Sequence, residues 1–458
     1  MKKYDIIIIG AGPGGYVAAI KAAQLGAKVA LIEKEALGGV CLNIGCIPTK
    51  ALIKSAKIFR NIINSEKYGI SLDKKSLKAD WPAIVKRKDE IVKRLTGGVG
   101  MLLSRNGVEV IKGEAKVLDP NHVEVNGEIL EAKNLILATG ASPIVPPIPG
   151  VKEAYEAGII VTSKELLSLE NLPEKLVIIG GGVIGVEFAT IFGTFGTQVT
   201  IIEKLDRILM NVDDDARNLI LKILKRNNIE IITEATVTAV NESEVSYEKD
   251  GKTISVSAQK ILMSVGMRPN TKAFEHLNLS TERGAIITNE RLQTSIPNVY
   301  AIGDLNGKMM LAHVASHEGI VAVENIMGKN STVDYSKMPS GIYGFPEIAM
   351  VGLTETQAQE QGYDYQVGRF PFSALGKALA DGETDGFVKI IADKKYGEII
   401  GVHIVAENAM EMISEGSITM ELEGTTSEIS NTVHPHPSLS EAFMEAAMAA
   451  LNKPIHTL

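Results

Sequence analysis

The chain has 458 residues, enough for about three domains at roughly 150 residues each, with cores large enough to fold unaided. Lys plus Arg number 47 against 55 Asp plus Glu, and the formal charge of −8 at pH 7 repels phosphate backbones and anionic lipid, which sets nucleic acid and membrane surfaces aside as partners. Its 2 cysteines, Cys41 and Cys46, are too few for a disulfide scaffold.

At the N-terminus, Lys2 and Lys3 precede an apolar run that imitates an export signal, yet the uncharged stretch between Asp5 and Lys21 falls short of the roughly 20 residues that span a bilayer. Glycines and Pro13 break it. The stretch reads as strand, turn and helix, and the protein as cytoplasmic.

The chain also carries an internal repeat, in which Gly10, Gly12, Gly15, Ala19 and Glu33 correspond to Gly180, Gly182, Gly185, Ala189 and Glu203. In each copy an apolar strand (4–9; 176–179) runs into the glycines, a small-residue helix follows, and a second strand (28–32; 198–202) ends at the glutamate. One Gly-x-Gly-x-x-Gly is a weak signal; placed between strand and helix, with an acid after the next strand, it marks a dinucleotide site. The glycines admit a pyrophosphate to the helix N-terminus, and the glutamate accepts from a ribose.

Further strands end in turn signals at 134–140 and 260–266, and the prolines of 143–149 read as a crossing between domains. The strand 298–304 carries Asp304 at its C-terminal end, where ligands sit in open parallel sheets; Asp304 either binds a polyol chain or begins a solvated loop. From about 336 the chain changes to shorter strands and amphipathic helices, an α+β module that closes in an alanine-rich helix after Pro437.

Any intramolecular disulfide must join Cys41 to Cys46, and the loop so closed is too short to stabilise much. In a chain without export signals such a pair reads as catalytic. Residues five apart on an ideal helix lie roughly 8–9 Å apart, beyond the roughly 7 Å a disulfide tolerates, so the backbone bends there, with Gly45 and Pro48 as the bending points. A helix over 49–61 then places its N-terminal end where it favours a thiolate at Cys46. By residue type alone Lys50 and Glu187 are ordinary surface charges. Ser438-x-x-Glu441 is a capping box at the start of the last helix, which leaves Glu441 either a cap, a functional acid or both. His434 and His436 lack an accompanying ligand cluster, so no metal is expected.

The double fingerprint, the segment Gly38-Gly-Val-Cys-Leu-Asn-Ile-Gly-Cys-Ile-Pro-Thr-Lys50, the Gly303-Asp304 pair followed by Met310-Leu-Ala-His313, and the terminal His434-Pro-His-Pro-Ser-Leu-Ser-Glu441 together resemble the pyridine nucleotide-disulfide oxidoreductases, over essentially the whole chain. The resemblance implies an α/β fold with two Rossmann-like nucleotide-binding domains and a C-terminal α+β interface domain. An FAD domain would comprise 1–143 and 266–335, an NAD domain 144–265, and the dimer-interface domain 336–458. Cys41 resembles the thiol that exchanges with substrate, Cys46 the one that faces the flavin, and Lys50 with Glu187 the ion pair beside it. FAD would be held by Gly10, Gly12, Gly15, Glu33, Lys50, Ala115, Thr139, Gly140, Asp304 and Ala312, and NAD by Gly180, Gly182, Gly185, Glu203, Val237 and Gly266. His436 and Glu441 resemble an acid/base pair supplied by the other subunit of a homodimer.

The implied reaction is NAD-linked oxidation of a protein-bound dihydrolipoyl dithiol. Its partners would be lipoyl domains and the E2-type subunit of a 2-oxo acid dehydrogenase complex, or the lipoyl carrier protein of glycine cleavage. A glutathione-type reductase is the competing enzyme, opposed by Glu203 where NADPH users carry basic residues; a docking component of such a complex, with catalysis incidental, is the reading from another class. Two departures stand out: Ser438 replaces a threonine, and Tyr343-Gly344-Phe345-Pro346 lacks the polar residue usual before the proline.

Overall fold

The computed structural model describes residues 1–457; Leu458, the last residue of the expected interface module, lies outside the described residues. The isoleucine run in the strand Lys2–Ile9 is buried on both faces. Side chains alternate along a strand, so Ile6 and Ile8 pack with Ala18, Ala19 and Ala22 of the helix Pro13–Gln24, while Ile7 and Ile9 face Val117, Val123 and Leu135 on the other side.

The first sheet orders its strands Glu109–Lys112, Val29–Glu33, Lys2–Ile9, Glu128–Leu137, His122–Val125 and Lys116–Asp119. Its first four run parallel, and the last two complete an antiparallel meander. Val299–Ala301 returns much later in the chain to pair in parallel with Glu128–Leu137.

Between these lies a second, wholly parallel sheet in the order Glu230–Ile232, Gln198–Ile202, Lys175–Ile179, Lys260–Met263 and Ile160–Val161. The chain enters this unit through Ala141–Pro143 and leaves it through Met267–Pro269, and the two segments pair antiparallel as a short ribbon. The crossing read from the prolines is thus a two-stranded one.

The C-terminal module is an antiparallel sheet in the order Ser340–Ile342, Glu347–Gly352, Ile399–Ala406, Phe387–Asp393 and Tyr365–Pro371. The helices Ala409–Glu421 and Glu441–Ala450 contribute to its core. Lys389 of this sheet, 1% exposed, reaches Asp213 at 3.1 Å and Asp215 at 2.9 Å, tying the module to the second unit, and Glu355 of its own module at 2.7 Å. Phe345, in the hairpin between the first two strands, joins a core with Leu52 and Ala56 of the helix Cys46–Ile63 and Val186 and Phe188 of the helix Val183–Thr194. No helix of the described residues is long and apolar enough to cross a membrane.

Candidate active site

The C-terminal ends of the parallel strands of both sheets open into one cleft of about 2620 Å³, several times the roughly 300–1,000 Å³ of a small-molecule site. Its lining brings together Gly10, Gly12, Glu33, Cys41, Cys46, Lys50, Ala115, Thr139, Gly140, Asp304 and Ala312 with Gly180, Gly182, Glu187, Glu203, Val237 and Gly266. A ligand in the crevice at the strand ends is the rule for open parallel sheets.

The two glycine turns have the same construction. A Cβ on Gly10 (φ +103°) would lie 2.3 Å from the Ala138 carbonyl oxygen, and one on Gly180 (φ +108°) would lie 2.2 Å from that of Ser264. Gly15 and Gly185 stay out of the cleft lining because they pack each helix against its turn: their Cβ atoms would lie 1.8 Å from Gly10 O and 2.4 Å from Gly180 O. Gly12 and Gly182, by contrast, would point a Cβ into open space. Each is the N-cap of its helix, and neither supplies a side-chain cap, so the first-turn N–H groups are left for a ligand. A glycine turn above an uncapped helix N-terminus, present twice, fits two pyrophosphates.

The glutamates have a second task that the sequence does not announce. Glu33 accepts from the N–H of Ala11 and of Glu35, each at 2.7 Å; Glu203 accepts from Gly181 at 2.7 Å and Leu205 at 2.8 Å. Each carboxylate thus latches its own glycine turn. Its oxygens keep further lone pairs for ribose hydroxyls.

Cys41 lies in the short helix Gly39–Ile44 and Cys46 opens the helix Cys46–Ile63. The bend falls at Gly45 (φ −136°, ψ −113°), where a Cβ would meet the Val40 carbonyl oxygen at 2.9 Å. Pro48 does not bend the chain, contrary to expectation: the helix begins three residues before 49, so Pro48 sits in its first turn, where its missing N–H costs nothing. Both cysteines are free thiols here. Cys46 is pulled down to about 7, because the Cys41 thiol donates to it and, although burial pushes the other way, the Lys50 ammonium adds to the fall. Cys41 goes up, since its hydrogen bond to Cys46 retains the proton and burial reinforces this. Electrostatics thus favours the thiolate at Cys46 and keeps the proton on Cys41.

Lys50 and Glu187 are no surface charges. The Lys50 Nζ lies 3.0 Å from both Glu187 oxygens, and the Glu187 side chain is 5% exposed. Tyr343, which the sequence marked only as an oddity, donates its backbone N–H to Glu187 at 3.0 Å and lays its ring 4.5 Å from the Lys50 ammonium.

Asp304 lies in the turn Gly303–Leu305 at the cleft, and burial raises its carboxyl above the ordinary range. This turn is held by Glu318, fully buried, which accepts from Gly303 N–H, from Asn306 Nδ2 at 2.9 Å and from the Tyr335 hydroxyl at 2.6 Å. Sequence reading missed Glu318. Its signal was an acid on the same helix face as the buried Ala315 and Ala322. Thr139 and Gly140 are tied to Asn270, whose side chain donates to Thr139 O at 2.9 Å and whose N–H donates to Gly140 O.

His436 and Glu441 do not line this cleft. His436 Nδ1 lies 2.9 Å from Glu441 Oε1, and the imidazole is 78% exposed, leaving Nε2 open to a partner. His434 turns inward: its side chain is 5% exposed and both ring nitrogens are engaged, by Glu415 at 2.6 Å and Thr432 O at 3.0 Å. Burial works against the Glu441 charge, but the Ser438 N–H and the His436 ring hold its carboxyl below the ordinary range. The capping box is only half built. Glu441 accepts from Ser438 N–H at 2.8 Å, but the helix starts at Glu441 itself, with Ser440 as its N-cap, and the buried Ser438 Oγ finds no partner among the described residues.

Two family profiles match the chain: that of the pyridine nucleotide-disulphide oxidoreductases over residues 4–319, and the dimerisation domain of the same family over residues 338–447. A dihydrolipoyl dehydrogenase of Acholeplasma laidlawii is 59% identical over 326 residues, covering 71% of this chain and 97% of that protein. One from Mycoplasma pneumoniae is 44% identical over 98% of each chain. Among solved structures, the HOCl-induced flavoprotein disulfide reductase RclA from Escherichia coli superposes with a TM-score of 0.86 at 31% identity, covering 97% of this chain and 99% of that one. With its twin glycine turns, its thiol pair and both profiles in register along one sequence, the chain belongs to the pyridine nucleotide-disulphide oxidoreductase family.

Proposed function

We propose that the protein oxidises a protein-bound dihydrolipoyl dithiol to the cyclic disulfide and reduces NAD, with FAD resident in the first half of the cleft. The observation that carries this is a thiol pair in one cleft with two glycine turns, each of which opens an uncapped helix N-terminus. The name shared by relatives matching 98% of the chain specifies the dithiol. On this reading residues 1–143 and 266–335 form the FAD domain, 144–265 the NAD domain and 336–458 the interface domain.

Gly10, Gly12 and the uncapped helix behind them would take the FAD pyrophosphate, Glu33 the ribose and Asp304 the ribityl chain, with Lys50 beside the ring. FAD would carry the electron pair from the thiols to NAD held by Gly180, Gly182 and Glu203. The chain's own residues manage the sulfur chemistry. His436, oriented by Glu441 through Nδ1, removes a proton at Nε2 from one substrate thiol, which is mostly protonated at neutral pH. In the oxidised enzyme that thiolate attacks Cys41 Sγ; the Cys41–Cys46 bond breaks and Cys46 leaves as the thiolate that Lys50 stabilises. The second substrate sulfur then displaces Cys41, closing the substrate disulfide and leaving the enzyme dithiol. Because His436 lies off the cleft of its own chain, a second copy would present it, and the homodimer is part of the active site.

Rapid mixing of the two half-reactions separately tests this. His436→Gln should slow the dithiol step by about 10²- to 10⁴-fold, the usual size of general acid–base catalysis, while reduction of the flavin by NADH persists. Glu441→Gln should act more mildly in the same direction. An undiminished dithiol step in His436→Gln, or an equal loss in His434→Gln, overturns the assignment; faster turnover with glutathione disulfide and NADPH than with lipoamide and NAD overturns the substrate.

A further inference from the structure

Three segments from different parts of the chain converge on one cation. Lys50 projects from the first turns of the helix that Cys46 opens; Glu187 comes from the helix of the second glycine turn; Tyr343 comes from the hairpin after Ser340–Ile342 in the C-terminal sheet. Lys50 and Glu187 line the cleft and Tyr343 does not. The tyrosine therefore acts on the cleft only through its neighbours.

Its two contacts are complementary. The backbone N–H fixes Glu187 Oε1 at 3.0 Å, and the ring face lies 4.5 Å from the ammonium that Glu187 binds. A cation between a carboxylate and an aromatic face loses much of the freedom a lysine head keeps. The next aromatic anchors the wedge: Phe345, 5% exposed, packs into the core shared by both helices and lies 5.5 Å from the Arg60 guanidinium. Phe345 therefore has a packing reason to stand where a polar residue is usual.

We propose that Tyr343 is a positioning residue for the redox centre: its ring and backbone N–H hold the Lys50–Glu187 pair in place, so that the C-terminal module of a chain sets how strongly Lys50 favours the Cys46 thiolate of that same chain. The inference rests on the reading of Cys46 as the flavin-facing thiol. The charged and titratable groups facing Cys46 are Cys41, Lys50 and Glu187; those facing Tyr343 further include Glu347 and Glu411.

The test is the pH profile of the long-wavelength thiolate-to-flavin absorbance in the two-electron-reduced holoenzyme. Tyr343→Leu should raise its midpoint by about half to one pH unit, the scale of a partly desolvated cation–π contact, whereas Tyr343→Phe, which keeps ring and N–H, should leave it in place. In a Lys50→Met background Tyr343→Leu should add no further shift. A Tyr343→Leu midpoint equal to the parent's in a folded, FAD-loaded protein overturns the proposal, as does an equal shift in Tyr343→Phe or an undiminished shift in the Lys50→Met background. Should Tyr343→Leu fail to fold, Tyr343→Met fills similar volume without a π face and is read by the same criteria. A parent enzyme without the absorbance would instead overturn the assignment of Cys46, which separates the two failures.

Discussion

At Gly10 and at Gly180 the chain makes the same turn, with nearly equal φ, the same close approach to the carbonyl of a neighbouring strand and the same carboxylate latch at the end of the next strand. Beyond the latch the two copies diverge. After Glu33 come the two helices that carry Cys41 and Cys46; after Glu203 comes a stretch without cysteine that leads to the helix Asp214–Arg226. The repeat thus builds two turns of one geometry, and a thiol pair follows only the first. The first site should hold its ligand as part of the fold, and the second should exchange it.

The harshest way to break that equivalence is at the turns themselves. Gly10→Ala combines a left-handed φ with a Cβ 2.3 Å from a backbone oxygen, and should yield protein that retains no FAD and does not fold stably. Gly180→Ala makes the same insult in the second unit. It should leave FAD bound and the dithiol half-reaction intact while weakening NAD binding by at least ~10²-fold, since strained backbone of this kind costs about 1–3 kcal/mol before the clash is counted. FAD content by absorbance and NAD titration distinguish the outcomes; equal loss of FAD in both variants would dissolve the contrast.

A smaller effect sharpens it. Glu203 lines the second half of the cleft and would face the 2′-phosphate of NADP as a like charge, a contact that costs several kcal/mol when unpaired. Glu203→Gln keeps an acceptor for the turn and should lower the NAD over NADP ratio in kcat/KM by about 10- to 100-fold. Glu33→Gln in the first unit should leave that ratio unchanged.

The smallest expected effect belongs to the thiols alone. Cys46 is lowered from 9.0 to about 7 in the folded reduced protein, so its contribution to stability is lost as pH falls through 7 and fully present above 9. Cys41 moves the other way from 9.0, and costs stability once an unfolded thiol would ionise. Relative to a Cys41→Ser/Cys46→Ser protein, the reduced enzyme should therefore gain stability between pH 7 and 9 and lose it beyond. Thermal unfolding across that range, in reductant, checks the sign.

Legibility in the sequence tracked the range of the interaction. Gly10, Gly12, Gly15 and Glu33 act within one strand–turn–helix unit, so their types and spacing sufficed, and the second copy doubled the signal. The inward turn of His434 and the outward turn of His436 are set by their partners Glu415 and Glu441, the first of which meets its histidine only in the folded chain. Pro48 misled because a proline bends a helix or opens one according to where the first turn falls, which Gly45 decides. Ser438 misled because the capping pattern can be shared between a helix end and an imidazole. Glu318 and Tyr343 were silent for another reason. Their partners, Tyr335 for one and Lys50 with Glu187 for the other, meet them through tertiary packing that no local pattern encodes.

The late return of Val299–Ala301 to the strand Glu128–Leu137 bears on synthesis. About 160 residues separate Leu137 from Val299, roughly 8–30 s of elongation at ~5–20 residues per second. Throughout that interval the first sheet has an open edge beside its central strands, while the inserted unit emerges with all five of its own strands and can close. The nascent chain should therefore complete its second nucleotide fold before its first, and the exposed edge of Glu128–Leu137 is where a stalled ribosome would leave the protein open to wrong pairing with a neighbouring chain.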